Sequence, residues 1–252
     1  MTVEAVRPPY SPELFAAGPA RDERFNVVEQ WVDCHNLPPG DPVREVEFFH
    51  RQMNEEINGL ECAARALSDF PDAAWELRMG IARQCFDEAR HVEMFRRMLE
   101  SRGGRVGQYP VLNFQFRIIT KIDSLNGRLA VQNRTFEASG IDAIQVGIAE
   151  AFGQGDPEQV ALYDAQLADE ICHVRFANEY IARATKVRPG IIMEIGRALS
   201  YSSTAFFQVM GEGPINAADY PIDEQGRKEA GFSSKEIQDC AAQAVERQTN
   251  GR

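Results

Sequence analysis

Apolar residues recur at intervals of three and four positions along most of the chain, which is the period of an amphipathic helix. The pattern predicts a first helix over about 42–68, with Asp41 as its N-cap and Pro42 in its first turn. A second helix is predicted over 72–101, after a break of a few residues. Two long helices joined by such a short connection predict an antiparallel hairpin.

Two further long helices are predicted in the same way. The third pattern spans about 115–139 and is expected to end at Ser139-Gly140, and a shorter helix is predicted over 141–153. A fourth long helix opens at Asp156-Pro157 and runs to about residue 186. Alternating strand patterns are absent, so the sequence predicts an all-α fold with four long helices in two hairpins.

The two ends of the chain lie outside the predicted four-helix body. Residues 1–41 carry six of the thirteen prolines and show little periodicity, which predicts an extended arm. Residues 42–186 form the predicted bundle. Residues 187–252 are predicted to be a helical extension packed on the bundle, with one helix to about 210 and an amphipathic helix over 233–247.

The charge of the chain limits its partners. There are 27 Lys and Arg against 38 Asp and Glu, a net charge of −11. An acidic surface repels polyanions, so neither nucleic acid nor an anionic membrane is expected as a partner. The first residues lack the apolar run of a signal peptide, and no later stretch reaches the length of a membrane span, so we expect a cytoplasmic protein. The five cysteines include no Cys-x-x-Cys pair and are expected to be reduced core residues.

One short pattern, Asp-Glu-x-x-His, occurs on both the second and the fourth predicted helix, as Asp87–His91 and Asp169–His173. Residues three apart on a helix lie on the same face, so each Glu and His can bind one metal ion from one side. Both Glu88 and Glu170 fall on otherwise apolar stripes, which directs them inward. Buried carboxylates without partners are costly, so the two motifs favour a shared cation site over a solvated face.

Each motif is expected to gain one more acid from the preceding helix. On the first helix, Glu56 belongs to an apolar stripe, whereas Glu61 shares its stripe with polar residues. Counted from the turn near Phe70, Glu56 lies fourteen residues before it and Glu88 eighteen after it, while Glu61 is only nine before it. We therefore predict Glu56 as the ligand, with Glu61 as the alternative.

On the third helix the corresponding acid is Glu137. The 33 residues between Glu137 and Glu170 nearly equal the 32 residues between Glu56 and Glu88, which indicates an internal repeat. The helical stripe of Glu137 is polar, and an apolar stripe lies beside it. Glu137 is therefore either a solvated acid near a helix end or one of several polar side chains that line the site, and the matched spacing favours the second interpretation.

These motifs resemble the ferritin-like di-iron carboxylate superfamily, in which a Glu is followed about thirty residues later by Asp-Glu-x-x-His, twice. A closer resemblance is to the DUF455 family, which is similar to bacterial tRNA-hydroxylating di-iron enzymes. The resemblance covers about residues 40–238 and is carried by segments 54–61, 87–91, 127–138, 169–174 and 227–232. Relatives usually carry a His where this sequence has Asn54.

The resemblance implies a ferritin-like four-helix bundle with a role for each ligand. The terminal carboxylates would be Glu56 and Glu137. The bridging carboxylates would be Glu88 and Glu170. The nitrogen ligands, one for each metal, would be His91 and His173.

The resemblance also implies groups around the ligands and the identity of the metal. Each of Asp87 and Asp169 would accept the ring N–H of the opposite motif's histidine, and Glu61 would lie outside the ligand set if Glu56 is the ligand. Four carboxylates balance the charge of two divalent ions, which suits two Fe(II), with Mn as the alternative. In such sites two Fe(II) reduce O2, and the activated oxygen attacks a bound substrate.

The predicted function is an O2-dependent non-haem di-iron oxygenase or oxidase that hydroxylates, N-oxygenates or desaturates a small organic substrate, with an electron donor of unknown identity. The alternatives are a non-catalytic iron store or ferroxidase, and a metal-free bundle for protein interaction. Storage cages use compact four-helix subunits, so the arm and the tail favour the enzyme. A metal-free bundle leaves four inward acids unexplained. The net charge disfavours a tRNA substrate, because RNA binding requires a basic surface. A homodimer is a candidate assembly.

Overall fold

The computed structural model describes residues 22–34, 37, 41–211 and 221–250, and these residues are predominantly helical, which confirms the all-α prediction. The long helices are α1 (Arg44–Asp69), α2 (Trp75–Ser101), α5 (Ala138–Gln154), α6 (Pro157–Val187), α7 (Ile191–Met210) and α9 (Ser234–Asn250). The short helices are a 3-10 turn (Trp31–Asp33), α3 (Phe114–Thr120), α4 (Leu125–Val131), a π-helical segment (Gln132–Glu137) and α8 (Glu224–Glu229). Within the described ranges, no helix is long and apolar enough to cross a membrane.

The expectation that the chain forms no strand is wrong at one place. A two-residue strand β1 (Val27–Val28) pairs in parallel with β2 (Val111–Leu112). The carbonyl oxygen of Leu112 also accepts hydrogen bonds from the side-chain amides of Asn54 at 2.6 Å and Asn58 at 3.2 Å. Strands of two residues are too short to produce an alternating pattern, so they leave no local signal in the sequence. The first 21 residues of the predicted arm lie outside the described residues.

The third predicted helix, 115–139, is also corrected by the structure. It is interrupted after Thr120, and a new helix starts behind Ser124, whose hydroxyl oxygen accepts a hydrogen bond from the Gly127 N–H at 3.1 Å. The predicted end at Ser139-Gly140 does not exist, because the helix continues through these residues to Gln154. Its actual end is Gly155, whose φ of 72° provides the left-handed cap that terminates helices.

The described residues divide into two compact units. The first consists of the described residues up to Pro71, Ala82–Asp123 and the described residues from Ser200 to Gly211. Its apolar interior includes Phe49 of α1 and Phe95 of α2, which are fully buried, with ring centroids 6.3 Å apart. Phe114 of α3 packs edge to face against Phe206 of α7. The inward side of α1 carries Glu56 among these apolar residues.

The second unit consists of Asp72–Ile81, Ser124–Leu199 and the described residues from Pro221 onward. Helices α5 and α6 pack closely against each other in this unit. One hydrophobic cluster contains Ala138, Ile141, Ile171, Val174, Ala230, Phe232 and Ile237. The residues Ala230, Phe232 and Ile237 near the C-terminus therefore share a core with α5 and α6.

A buried histidine of the first unit links α1 to the loop before β2. The Nε2 atom of His50 accepts a hydrogen bond from the Gly107 N–H at 2.8 Å, and the His50 ring lies 5.8 Å from the rings of Phe25 and Tyr109. The His50 side chain is inaccessible to solvent, and this burial lowers its pKa from 6.5 to about 4. Protonation would add a hydrogen to the atom that now accepts the bond from Gly107.

We expect His50 to make the protein less stable in mild acid. Between pH 6.5 and 4 the unfolded chain binds more protons at this position than the folded chain does, so the free energy of unfolding rises with pH over this interval. Between pH 7.5 and pH 5 this group contributes a loss of about 2 kcal/mol. The His50→Gln variant keeps an acceptor for Gly107 but cannot titrate.

The measurement is urea unfolding of metal-free protein at pH 7.5 and pH 5, with a chelator present in all samples. The difference in free energy of unfolding between the two pH values should be smaller in the variant by about 2 kcal/mol. An equal difference in both proteins would show that His50 does not cause the acid sensitivity.

Candidate metal centre

Three predicted ligands of the first compact unit lie together. One donor atom from each of Glu56, Glu88 and His91 lies within 4.8 Å of the others. The Nδ1 atom of His91 is 3.3 Å from Oε2 of Glu56 and 3.2 Å from Oε2 of Glu88. All three residues are buried, and His91 is fully inaccessible. Two carboxylates from different helices therefore converge on one ring nitrogen.

Helix α1 directs Glu56, rather than Glu61, into this group. Glu56 lies on the buried side of α1 with Phe49 and Met53, and its exposed fraction is 8%. Glu61 lies five residues further along the helix, a rotation of about 140° from Glu56, and is half-buried. The helical stripe in the sequence thus corresponds to the face that α1 buries.

Two residues that the sequence analysis did not identify shape the position of Glu88. A Cβ atom at Gly59 of α1 would lie 3.1 Å from Cδ and 3.2 Å from Oε1 of Glu88, so glycine gives the carboxylate room to approach the helix. The Gln84 side-chain amide, one turn before Glu88 on α2, donates a hydrogen bond to Glu88 Oε1 at 3.1 Å. Both residues therefore constrain where the Glu88 carboxylate lies.

The second compact unit contains a corresponding group. One donor atom from each of Glu137, Glu170 and His173 lies within 4.8 Å of the others. The Nδ1 atom of His173 is 3.3 Å from Oε2 of Glu170, one turn earlier on α6. The Asn133 side-chain amide donates to the backbone oxygen of His173 at 3.2 Å, which ties the π-helical segment to α6. Glu170 and His173 are buried, and Glu137 is half-buried.

The π-helical segment explains why Glu137 falls on a polar stripe in the sequence. A π turn contains one more residue than an α turn, which shifts the face of the following residues by about 100°. An uninterrupted α-helix would align Phe136 with the apolar positions Leu125 and Leu129. The extra residue brings Glu137 onto that face instead. The mismatch between Glu137 and its stripe was the available signal, and the predicted regular helix could not account for it.

Glutamines accompany the candidate ligands in both units. Glu137 accepts a hydrogen bond from the side-chain amide of Gln132, at the other end of the π-helical segment. Gln166 is buried one turn before Glu170, at the position that Gln84 holds before Glu88. The repeated motif is therefore longer than the sequence analysis recognised, with the form Gln-x-x-Asp-Glu-x-x-His.

The aspartates of the two motifs are buried as well. Asp87 accepts hydrogen bonds from Arg83 at 2.8 Å and from Arg90 at 3.4 Å, both on its own helix. Asp169 has an exposed fraction of 7%. The predicted contact of each aspartate with the opposite motif's histidine stays a prediction.

The donor atoms of both groups fit a divalent ion. Two donors that bind one ion at about 2.1 Å with an angle of about 100° lie about 3.2 Å apart. This separation matches the 3.2–3.3 Å between Nδ1 of His91 and the oxygens of Glu56 and Glu88, and the 3.3 Å between Nδ1 of His173 and Glu170. The Nδ1 atom of His91 faces the carboxylates of Glu56 and Glu88, and that of His173 faces the carboxylate of Glu170. Carboxylate oxygen and imidazole nitrogen suit Fe(II) and Mn(II).

Comparison with known proteins gives one match. The model of the family described as "Protein of unknown function (DUF455)" matches residues 3–238, which is most of the chain. No curated protein and no solved structure matches the sequence.

Proposed function

We propose that this chain, which belongs to the DUF455 family, is an O2-dependent non-haem di-iron oxygenase or oxidase that acts on a small organic molecule. The observation that carries the proposal is the repeated group of two glutamates and one histidine, each with Nδ1 directed at carboxylate oxygen. One such group is a common structural arrangement. Two groups on the same repeated motif favour a pair of ions.

The charges of these residues support the proposal. In the proposed centre the four carboxylates would lie close together, and without a cation they would repel one another in a region of low dielectric constant. Two divalent ions carry four positive charges and neutralise them. The ferritin-like four-helix bundle is part of the same proposal, because that fold places Glu-x-x-His motifs from two helices opposite each other.

Under this proposal the ligands of the two ions are divided as the repeat suggests. Glu56 and His91 would belong to one ion, and Glu137 and His173 to the other. Glu88 and Glu170 would bridge both ions. Two Fe(II) ions held in this way would supply the redox chemistry that O2 reduction requires.

The remaining residues of the site would hold the ligands in place. Gln84 and Gln132 each donate to a candidate ligand carboxylate, so each amide fixes the orientation of that group before a metal binds. Glu88, His91 and Glu170 are each buried, and this burial would limit the access of water to the proposed centre. In a monooxygenation one oxygen atom enters the substrate and the other leaves as water, so an external donor must supply two electrons and two protons.

The first test is the metal content. Protein reconstituted with Fe(II) under anaerobic conditions and freed of unbound metal should contain about two ions per chain, by the count of carboxylate ligands. Elemental analysis and protein quantification on the same sample give this ratio. One ion per chain, or none, would contradict the di-metal centre.

The second part of the test separates an oxygenase from a ferroxidase. A ferroxidase consumes O2 in proportion to added Fe(II) and releases or stores the oxidised iron. The proposed enzyme should instead keep its two ions through repeated cycles of reduction and O2 exposure. Oxidised iron that leaves the protein after each cycle would favour the ferroxidase.

A further inference from the structure

We propose that the C-terminal segment Arg227–Glu236 positions the candidate ligand Glu137 by clamping the π-helical segment from outside. This inference rests on the proposed function, since it takes Glu137 as a metal ligand. The segment lies in the same compact unit as Glu137 and contains the residues Arg227–Phe232, to which the sequence analysis assigned no function beyond the family resemblance.

A buried ion pair anchors this segment to α5. The Nη2 atom of Arg227 lies 2.6 Å from Oδ2 of Asp142, and Nε of Arg227 donates to Oδ1 at 3.0 Å. The exposed fractions of the two side chains are 8% and 6%. Asp142 also accepts the backbone N–H of Asp223 at 2.9 Å. A buried bidentate pair with an additional donor has little freedom to move.

Two further contacts anchor the segment to α6. The Asn178 side-chain amide donates to the Ala230 carbonyl at 2.8 Å, and Nε of Arg175 donates to the Glu229 carbonyl at 2.7 Å. The chain then turns at Gly231, whose φ of 90° is in the left-handed region that favours glycine. The turn directs Phe232 into the core that α5 and α6 share.

The anchored segment contacts the π-helical segment through Arg134. The guanidinium of Arg134 lies over the Phe232 ring at 5.1 Å, and it forms an ion pair with Glu236 at the start of α9. Glu236 is itself fixed, because it accepts hydrogen bonds from the backbone N–H of Ser233 at 2.9 Å and from the Ser233 hydroxyl at 2.7 Å. Arg134 therefore pairs with a carboxylate that Ser233 also holds through two hydrogen bonds.

The π-helical segment needs such support. A π turn is rarer than an α turn, and without external contacts the segment could relax to an α-helix. That change would rotate Glu137 by about 100° away from Glu170 and His173. Arg134 lies three residues before Glu137, so its contacts with Phe232 and Glu236 act directly on the turn that sets the direction of Glu137.

The experiment compares hydrogen exchange in the full-length, metal-free protein and in three variants. Glu236→Gln removes the charge opposite Arg134, and Phe232→Leu removes the aromatic face while it keeps an apolar side chain. Lys235→Gln is the matched control, because Lys235 is on the same helix but pairs with the exposed Asp239. Amides of residues 132–138 should exchange about tenfold faster in the first two variants and at the wild-type rate in the control.

A second measurement connects the clamp to the metal. In the Glu236→Gln variant the affinity for one of two Fe(II) ions should fall about tenfold, with the other ion bound as in the wild type. Unchanged exchange over 132–138, or a rise that is equally large in α1, would overturn the clamp. A wild-type protein that binds no metal would instead overturn the proposed function, whatever the exchange rates show.

Discussion

The Glu88→Gln variant is expected to lose both metal ions, so the metal content falls from about two per chain to nearly none. The reason is that a bridging carboxylate contributes to the binding of both ions. Glutamine has the size of glutamate and fits the space that Gly59 leaves, so the fold should be preserved. The Glu170→Gln variant should behave in the same way.

Matched controls separate this effect from a general loss of negative charge. Glu93 lies on the same helix as Glu88 but is only partly buried, and it pairs with Arg96 and Arg97. Glu179 is the corresponding control on α6, because it is exposed and pairs with Arg183. Elemental analysis should find wild-type metal content in Glu93→Gln and Glu179→Gln. One tightly bound ion in Glu88→Gln would mean that Glu88 is a terminal ligand, and two would exclude it from the site.

The second large effect is a loss of reactivity with O2 on substitution of Glu56. The Glu56→Ala variant should not show the absorbance change that the Fe(II) protein undergoes with O2, because one ion would lose its terminal carboxylate. Glu61→Ala should react as the wild type does, since Glu56 rather than Glu61 lies against His91. The two variants remove the same group from the same helix and therefore control for each other.

The absorbance is followed after the anaerobic Fe(II) protein is mixed with O2-saturated buffer. Metal content measured before mixing shows whether a lost signal comes from lost metal or from lost reactivity. If Glu61→Ala lost the absorbance change and Glu56→Ala kept it, Glu61 rather than Glu56 would be the metal ligand. It would also mean that the buried side of α1 does not face the metals.

The long helices could be predicted because their signals are local. The predicted segments 42–68, 72–101 and 156–186 end within a few residues of α1, α2 and α6. Asp156 caps α6 by accepting a hydrogen bond from the Gln159 N–H, as its sequence position suggests. A repeated apolar period depends on neighbours within one or two turns, so it can be read from the chain itself. The cap predicted at Asp41 is wrong, because α1 begins at Arg44 and its N-cap is Val43.

The break and the π turn within the third predicted helix could not be predicted, because they depend on distant partners. The π-helical segment contacts α6 through Asn133 and α9 through Arg134, which are 40 and 102 residues from their partners. The strand pair β1–β2 and the buried Arg227–Asp142 pair are also long-range features. The local sequence pattern does not indicate which distant residue Asn133, Arg134 or Arg227 contacts.

The sequence by itself determined that the chain is all-α and that Glu and His stand three apart on two similar helices. The reason is that helix period and capping are local and that three residues make nearly one turn. Only the tertiary structure decided that Glu137 faces Glu170 and His173, that Gly59 and Gln84 fit around Glu88, and that the C-terminal segment holds Arg134. These arrangements arise from packing between segments far apart in the chain, where the π turn changes the helical phase that the sequence pattern assumes.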